Sequence, residues 1–151
     1  MTSSNFGLNQ VKFSKGKKIY VKGDKADFAF YVHAGKVNIY SPGGLLLGQV
    51  GEGEIFGELS LILNEDRKAS IKAIIPSEVV EIKKNALEAI LLSSDIELHK
   101  AVKAISKELG KDSNHQLPIT RKNLIDLVKN QPDVIRALAL QLHHRLSEMI
   151  F

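Results

Sequence analysis

Apolar residues in the first half of the chain follow a strand-like pattern. Phe28, Phe30 and Val32 fall on one face of an extended run, and glycine or proline interrupts such runs at short intervals. Short alternating segments separated by turn residues are typical of an all-β sandwich or barrel. We therefore predict β structure over residues 11–82.

Two of these runs are predicted to pair as a hairpin. The segments Phe28–His33 and Lys36–Tyr40 are joined through Ala34 and Gly35, and a short glycine-containing connection is a hairpin signal. The sequence of residues 41–44, Ser-Pro-Gly-Gly, predicts the next turn.

After residue 82 the apolar spacing changes to that of amphipathic helices. Asp95 is a candidate N-cap, and Gly110 and Pro132 mark a helix end and a first helical turn. The predicted helices are Lys84–Leu92, Ile96–Leu109, Arg121–Asn130 and a last one from Pro132 to Met149. Their predicted apolar stripes are Leu98, Val102, Ile105 and Leu109 in the second, and Ile135, Leu138, Leu142, Leu146 and Met149 in the last.

Composition indicates one ordinary globular domain. The 151 residues are 44% hydrophobic and 25% charged, without cysteine. The chain has no signal-like N-terminus and no apolar run long enough to span a membrane, so we predict a cytoplasmic protein. The net charge of +4 is concentrated in the first 36 residues. Those lysines occur singly among apolar positions, which favours a solvated surface over a nucleic-acid site.

Metal binding and catalysis are not predicted. Glu52, Glu54 and Glu58 lie close in sequence, but nothing places two carboxylates across a scissile bond. The adjacent His143 and His144 point in different directions on a helix, whereas a helical metal pair needs i, i+4 spacing. The five histidines are His33, His99, His115, His143 and His144.

The segment Gly51–Ala73 carries the most informative chemistry. Glu58 and Arg67 lie among apolar residues, although such charged types are rarely buried unless paired. Gly57 would let the backbone approach a ligand, and a helical turn starting there would direct N–H groups at an anion. An arginine opposite could pair with phosphate, and a glutamate could accept from a sugar hydroxyl.

This segment resembles the phosphate-binding cassette of the cyclic nucleotide-binding domain family, whose pattern is Phe-Gly-Glu, then Leu or Ile, then Ala or Ser, followed by a variable loop, an arginine and small residues that lead into a strand. The resemblance implies that Glu58 holds the ribose 2′-hydroxyl and that Arg67 pairs with the cyclic phosphate. Backbone amides of Gly57 and Leu59, and those after Arg67, would complete the phosphate site. The implied ligand-binding residues are Phe56, Gly57, Glu58, Leu59, Ser60, Arg67, Lys68, Ala69 and Ser70.

The resemblance also implies the architecture. Glycine-containing turns fall at the positions where the family's β-roll has its corners, so the resemblance extends over about residues 11–84. We expect an α+β protein, with a jelly-roll-like β-roll at about 10–83 and a helical tail at about 84–150, as a single domain over 1–151. Its ligand would be a cyclic nucleotide, and no cofactor is expected.

Departures from the family pattern bear on the ligand. Glu65 and Asp66 precede the arginine, and either carboxylate could turn inward and occupy Arg67. Lys68 follows it and is expected to point outward. In the family, threonine or serine directly after the arginine favours guanine, so its absence here favours cyclic AMP over cyclic GMP, although Ser70 is near.

The helical tail contains a short helix followed by a long one twice. Asn85 corresponds to Asn123, and Asp95 to Asp133. Either the family's tail was duplicated, or a helical pair was inserted, or the two pairs converged. In relatives, a C-terminal helix folds over the base of the nucleotide. Here that helix would be the last one, or it would belong to the first helical pair. Candidate base contacts are Leu142, His143 and Leu146, or Val102 and Ile105.

These expectations describe a cyclic-nucleotide sensor that is not itself an enzyme. By resemblance, a transcription factor of this type would continue into a helix-turn-helix domain; because Phe151 directly follows the last helix, we expect none in this chain. We expect the output to come from an unidentified effector protein or from a missing output domain. The alternative is a β-roll without nucleotide that acts as a protein-interaction module.

Overall fold

The chain forms two compact units, Met1–Leu87 and Glu88–Phe151. A computed structural model describes residues 8–92 and 95–151, with the backbone alone at 90–92. The first unit holds the strands and the short helix Glu58–Leu63, the helix Lys84–Leu92 crosses the boundary, and the remaining helices lie in the second unit.

The first unit consists of two four-stranded antiparallel sheets, as predicted for a β-roll. One sheet has the order β1-β8-β3-β6 and the other β2-β7-β4-β5. The elements are β1 (Asn9–Phe13), β2 (Lys18–Tyr20), β3 (Phe28–Ala34), β4 (Lys36–Tyr40), β5 (Leu46–Gly51), β6 (Ile55–Phe56), α1 (Glu58–Leu63), β7 (Ser70–Ala73) and β8 (Ser77–Lys83).

The core of this unit lies between the two sheets. In β7 the buried Ile71 and Ala73 alternate with less buried residues, because successive side chains of a strand point to opposite sides. Both sheets contribute to one apolar cluster, whose buried members are Phe30, Val32, Val37, Val50, Phe56, Ile71, Ala73 and Val79.

The predicted hairpin between β3 and β4 is wrong. β3 pairs with β6 and β8, whereas β4 pairs with β5 and β7 in the other sheet. Gly35, with φ +103, turns the chain from one sheet into the other. A Cβ at Gly35 would lie 2.2 Å from Ser77 Oγ and 2.6 Å from Ser77 Cα. A short glycine connection suits a hairpin and a sheet-to-sheet corner equally, so the sequence could not separate them.

The predicted turn at residues 41–44 is confirmed. It joins β4 to β5, and Gly44 N donates to Ser41 O at 2.9 Å. β5 is an outer strand of its sheet, and it carries half-exposed leucines close to this turn.

The four predicted helices are present, with small changes in their ends. The first two have the predicted bounds, whereas the third ends at Val128 and Pro132 is the N-cap of the last. The helices are α2 (Lys84–Leu92), α3 (Ile96–Leu109), α4 (Arg121–Val128) and α5 (Asp133–Ile150).

The predicted apolar stripes of the second unit are buried, with one exception. All four positions predicted in α3 are buried, as are those of α5 up to Leu146. Met149 is 51% exposed and was wrongly included. It lies in the last turn of α5, and Phe151, which follows the helix, is 92% exposed, so this end of the helix is in contact with solvent.

Polar contacts hold the connection between α3 and α4. Glu108 accepts from Gln116 N at 2.8 Å and pairs with Lys111 Nζ at 2.7 Å. His143 Nε2 donates to Ile119 O at 2.9 Å. These bonds satisfy backbone groups of a segment without regular structure.

Helix caps in this unit differ from each other. Thr120 caps α4, since its Oγ1 accepts from Asn123 N at 3.2 Å. Asp95 occupies the predicted N-cap position of α3, but its side chain makes no capping hydrogen bond.

Candidate ligand-binding site

The predicted helical turn begins at Gly57. This glycine is the N-cap of α1 and has φ +75, a left-handed conformation that glycine adopts most easily. A Cβ at Gly57 would lie 2.8 Å from Arg67 Nη1. The missing side chain therefore leaves room for the guanidinium of Arg67, a contact that the sequence did not predict.

Arg67 is buried, with 4% of its surface exposed. Its Nη1 donates to Gly57 O at 2.7 Å, and its Nη2 donates to Phe28 O. Its Nε is shielded from solvent and has no hydrogen-bond partner among the described residues. The guanidinium is thus held at one edge by two carbonyls, while a buried donor is left over.

Aromatic rings pack against the same guanidinium. Arg67 Cζ lies 4.0 Å from the centroid of the Tyr20 ring and 5.9 Å from that of Phe30. Phe30 in turn stacks on Phe56, with centroids 5.0 Å apart and planes at 14°. The apolar core of the roll therefore continues directly to the charged group.

The backbone of Arg67 is fixed as firmly as its side chain. Arg67 N donates to Asp24 O, and Gly23 N donates to Arg67 O, both at 2.8 Å. Lys22 N also donates to Ser70 Oγ at 3.1 Å. The turn after β2 thereby holds the segment that leads into β7.

Glu58, the first residue of α1, has none of its surface exposed. Burial lowers the pKa of Arg67 below its ordinary value, while Tyr20, Glu58, Asp27 and Asp24 act in the opposite direction. The cation is therefore partly compensated by nearby negative charge, with Glu58 the buried carboxylate among these groups.

The acidic residues before Arg67 do not occupy its guanidinium. Glu65 pairs instead with Lys68 at 3.5 Å, and both side chains are exposed, by 43% and 77%. Asp66 is exposed as well. The outward direction expected for Lys68 is confirmed.

The structure brings most of the predicted ligand-binding residues into one loop region. Leu59, Ser60, Ala69 and Ser70 are half-buried, whereas Phe56 is fully buried in the roll. Sequence reasoning missed Tyr20 and the Phe28 carbonyl. Both come from strands distant in sequence, and only the pairing of the sheets brings them to Arg67.

The predicted base contacts lie in the second unit and are all buried. In this unit α5 packs on α3 and α4. His143 is engaged with Ile119 O. The buried candidates are Val102, Ile105, Leu142, His143 and Leu146.

Other site types find no support in the described part of the chain. Over residues 8–92 and 95–151, no three histidines, cysteines or carboxylates come close enough to hold a metal ion. In the same ranges, no helix combines the length and apolarity that crossing a bilayer requires.

The family whose description is "Cyclic nucleotide-binding domain" matches residues 10–94, more than half of the 151-residue chain. The chain belongs to the cyclic nucleotide-binding domain family. A relative from Yarrowia lipolytica, "cAMP-dependent protein kinase regulatory subunit", is 32% identical over 85 residues. That alignment covers 56% of this chain and 22% of the relative.

Solved structures support the same fold. The "EAL Enzyme Bd1971" in its half-site-occupied form gives a TM-score of 0.64 at 30% identity, over 68% of this chain and 95% of that chain. Its cAMP-bound and cGMP-bound forms give TM-scores of 0.56 and 0.57 at 27% and 28% identity. Each covers 80% of this chain, and 30% and 31% of theirs. The predicted α+β architecture of β-roll and helices is confirmed.

Proposed function

We propose that this chain is a regulatory domain that binds cyclic AMP in preference to cyclic GMP through the loop Gly57–Ser70. Arg67 would pair with the cyclic phosphate and Glu58 with the ribose 2′-hydroxyl. One observation carries the proposal: a buried guanidinium whose Nε lacks an acceptor among the described residues. Buried polar groups are nearly always hydrogen-bonded, so a missing acceptor at a family site suggests a ligand.

The bonding of Arg67 is compatible with phosphate. A guanidinium has more N–H donors than the two carbonyls Gly57 O and Phe28 O use. A phosphate on the remaining edge would complete its hydrogen bonding and neutralise a cation that burial has desolvated. Because the Nε is shielded from solvent, the Gly57–Arg67 loop must open before a phosphate can reach it.

Glu58 suits a hydroxyl rather than another anion. An ionised carboxylate only accepts hydrogen bonds, and a ribose hydroxyl can donate one. Its burial at the start of α1 means that any such contact forms away from bulk water, where a hydrogen bond is electrostatically stronger.

The preference for cyclic AMP is supported by residues on the C-terminal side of Arg67. Lys68, which points outward, stands where a hydroxyl would favour guanine. The nearest hydroxyl, Ser70 Oγ, already accepts from Lys22 N. The EAL enzyme has been solved with either nucleotide bound, so both ligands belong in the test.

The whole chain, in this proposal, works as one cytoplasmic sensor in which a tail helix closes over the base. A ligand shifts such an equilibrium only by the difference in its affinity for the two states. The proposed base contacts, such as Leu142 and Val102, are buried. These side chains must therefore become exposed before the closing helix can contact the base. That rearrangement of the helix would be the regulatory signal.

The output would come from an effector protein or an attached domain rather than from catalysis by this chain. The relative from Yarrowia lipolytica is a regulatory subunit, and the structural neighbour is an enzyme. The alignment covers only 22% of that relative. The effector of this chain must therefore be identified by experiment.

A second candidate is a protein-interaction module that binds no nucleotide. It is favoured by the bonding of Arg67 to Gly57 O and Phe28 O, which stabilises the guanidinium without phosphate. In that case Arg67 is structural, and the exposed Leu45, Leu46 and Leu47 would be the first surface to examine.

Titration calorimetry with cyclic AMP and cyclic GMP separates the two candidates. We expect saturable binding, tighter for cyclic AMP, that Arg67→Ala weakens at least about tenfold, because hydrogen bonds to charged groups contribute about 1.5–3 kcal/mol. Lys68→Ala is the matched control, since it removes the neighbouring positive charge from an exposed position.

Folding is checked for each variant by circular dichroism, and Arg67→Lys replaces Arg67→Ala if the latter does not fold. Absence of saturation by either nucleotide at millimolar concentration, in folded protein freed of co-purified ligand, would refute the sensor and favour the interaction module. Equal weakening by Arg67→Ala and Lys68→Ala would refute the assigned phosphate contact.

A further inference from the structure

We infer that Tyr20 is a positioning residue for the nucleotide phosphate, acting through Arg67; this inference rests on the proposed function. The Tyr20 ring lies under the guanidinium, with 4.0 Å from the ring centroid to Cζ. Neither the motif nor its spacing identifies this residue, because it belongs to β2 and lies far from Arg67 in sequence.

Three contacts define the orientation of the guanidinium. Gly57 O and Phe28 O fix its Nη1 and Nη2 in one direction. Two hydrogen bonds along one edge still let a planar group tilt about the line that joins them. The Tyr20 ring covers one face and opposes that tilt, so the Nε side keeps a defined direction.

Fixing the direction of the Arg67 guanidinium before the nucleotide binds should raise the affinity, because a free arginine side chain is flexible. Ordering a long side chain on binding costs free energy, and a group that is already ordered avoids that cost. A guanidinium stacked on an aromatic ring also keeps a favourable contact after losing water. The ring therefore compensates in part for the burial that lowers the Arg67 pKa.

Tyr20 is itself aimed by the local strand geometry. The pairing of β2 with β7 shifts register between Lys18, opposite Lys72, and Tyr20, opposite Ile71. Such irregularities redirect side chains and occur often beside functional sites. The ring also packs against Phe30 and Phe56 in tilted arrangements, at centroid distances of 6.0 and 6.2 Å.

The test compares three variants by cyclic AMP titration. Tyr20→Leu removes the ring, Tyr20→Phe keeps it, and Tyr40→Leu removes a tyrosine that lies beside another cation, Lys72 Nζ, at 5.6 Å. We expect Tyr20→Leu to weaken binding at least about fivefold, a change typical of one cation–π contact. Tyr20→Phe and Tyr40→Leu should each stay within about twofold of wild type.

A double-mutant cycle separates positioning from a general effect on folding. In an Arg67→Lys background the planar stack is gone, so Tyr20→Leu should weaken binding there by less than about twofold. Equal losses in both backgrounds would overturn the inference. So would a loss for Tyr20→Phe as large as that for Tyr20→Leu, since the ring would then not be the acting feature.

The same cycle, measured by urea unfolding without nucleotide, distinguishes failure of the inference from failure of the proposed function. If wild type binds no nucleotide, the proposed function fails. A coupled Tyr20–Arg67 pair in unfolding would then mean that the contact is structural only, which also overturns the inference. Nucleotide binding by wild type, combined with additive losses, overturns the inference alone.

Discussion

Replacing Gly57 with alanine should weaken both the ligand site and the fold. The added Cβ would lie 2.8 Å from Arg67 Nη1 and 3.3 Å from its Cζ and Nη2. These atoms belong to a side chain that can move, so the fold can adapt when Arg67 shifts. The shift would strain or break the 2.7 Å bond from Nη1 to Gly57 O and misdirect the donors left for phosphate.

Gly53→Ala is the matched control for backbone strain. Gly53 has φ +80 against +75 for Gly57, and its Cβ would meet nothing within 4 Å. A non-glycine residue in this left-handed region costs about 1–2 kcal/mol, and both variants incur that cost. Gly57→Ala should lose a further amount of about 1.5–3 kcal/mol, the usual contribution of a hydrogen bond to a charged group.

Urea unfolding gives the two free energies of unfolding, and calorimetry gives the two affinities for cyclic AMP. We expect Gly57→Ala to be less stable than Gly53→Ala by at least about 1.5 kcal/mol and to bind at least about tenfold more weakly. Gly53→Ala should bind like wild type. Equal stability and equal affinity for the two variants would refute the assigned contact between Gly57 and Arg67.

Three further changes test the fold. Gly35→Ala should prevent folding or destabilise by more than about 4 kcal/mol, as measured by urea unfolding, because its Cβ would meet the Ser77 backbone at 2.6 Å; a loss as small as that of Gly53→Ala would contradict the sheet-to-sheet corner. Glu108→Gln should flatten the acid side of the stability–pH curve. The bonds from Lys111 and Gln116 N lower the Glu108 pKa in the folded protein, so its contribution is present above the ordinary pKa and is lost as pH falls through the lowered one; an unchanged curve would contradict it. Thr120→Ala should cost about 0.5–2 kcal/mol through the lost cap on Asn123 N, and unchanged urea unfolding would show that the cap does not stabilise.

The element types were predictable because the hydrophobic period differs between the two halves of the chain. The α3 bounds and its buried stripe from Leu98 to Leu109 follow directly from helical spacing. Strand pairing was not predictable in the same way. The connection at Gly35 carries no information on which sheet the next strand joins, which is seen only in the pairing of β4 with β5 and β7.

The candidate site likewise has a part that was predictable from the sequence and a part that was not. The motif gave Glu58 and Arg67, both of which are buried as their apolar surroundings suggested. The groups that hold Arg67 were not predictable, since Phe28 contributes its carbonyl and Tyr20 its ring from separate strands. The sequence left open whether Glu65 pairs with Arg67. The structure shows that it pairs with Lys68, and a sequence does not tell which of two nearby cations a carboxylate contacts.

The central claim is that Arg67 and Glu58 hold the phosphate and ribose of a cyclic nucleotide. A crystal structure of the protein with cyclic AMP tests it most directly. We expect a phosphate oxygen within about 3.2 Å of Arg67 Nε and the ribose 2′-hydroxyl within about 3.0 Å of a Glu58 carboxylate oxygen. A nucleotide whose phosphate is bound elsewhere, while Arg67 still donates only to Gly57 O and Phe28 O, would contradict the claim.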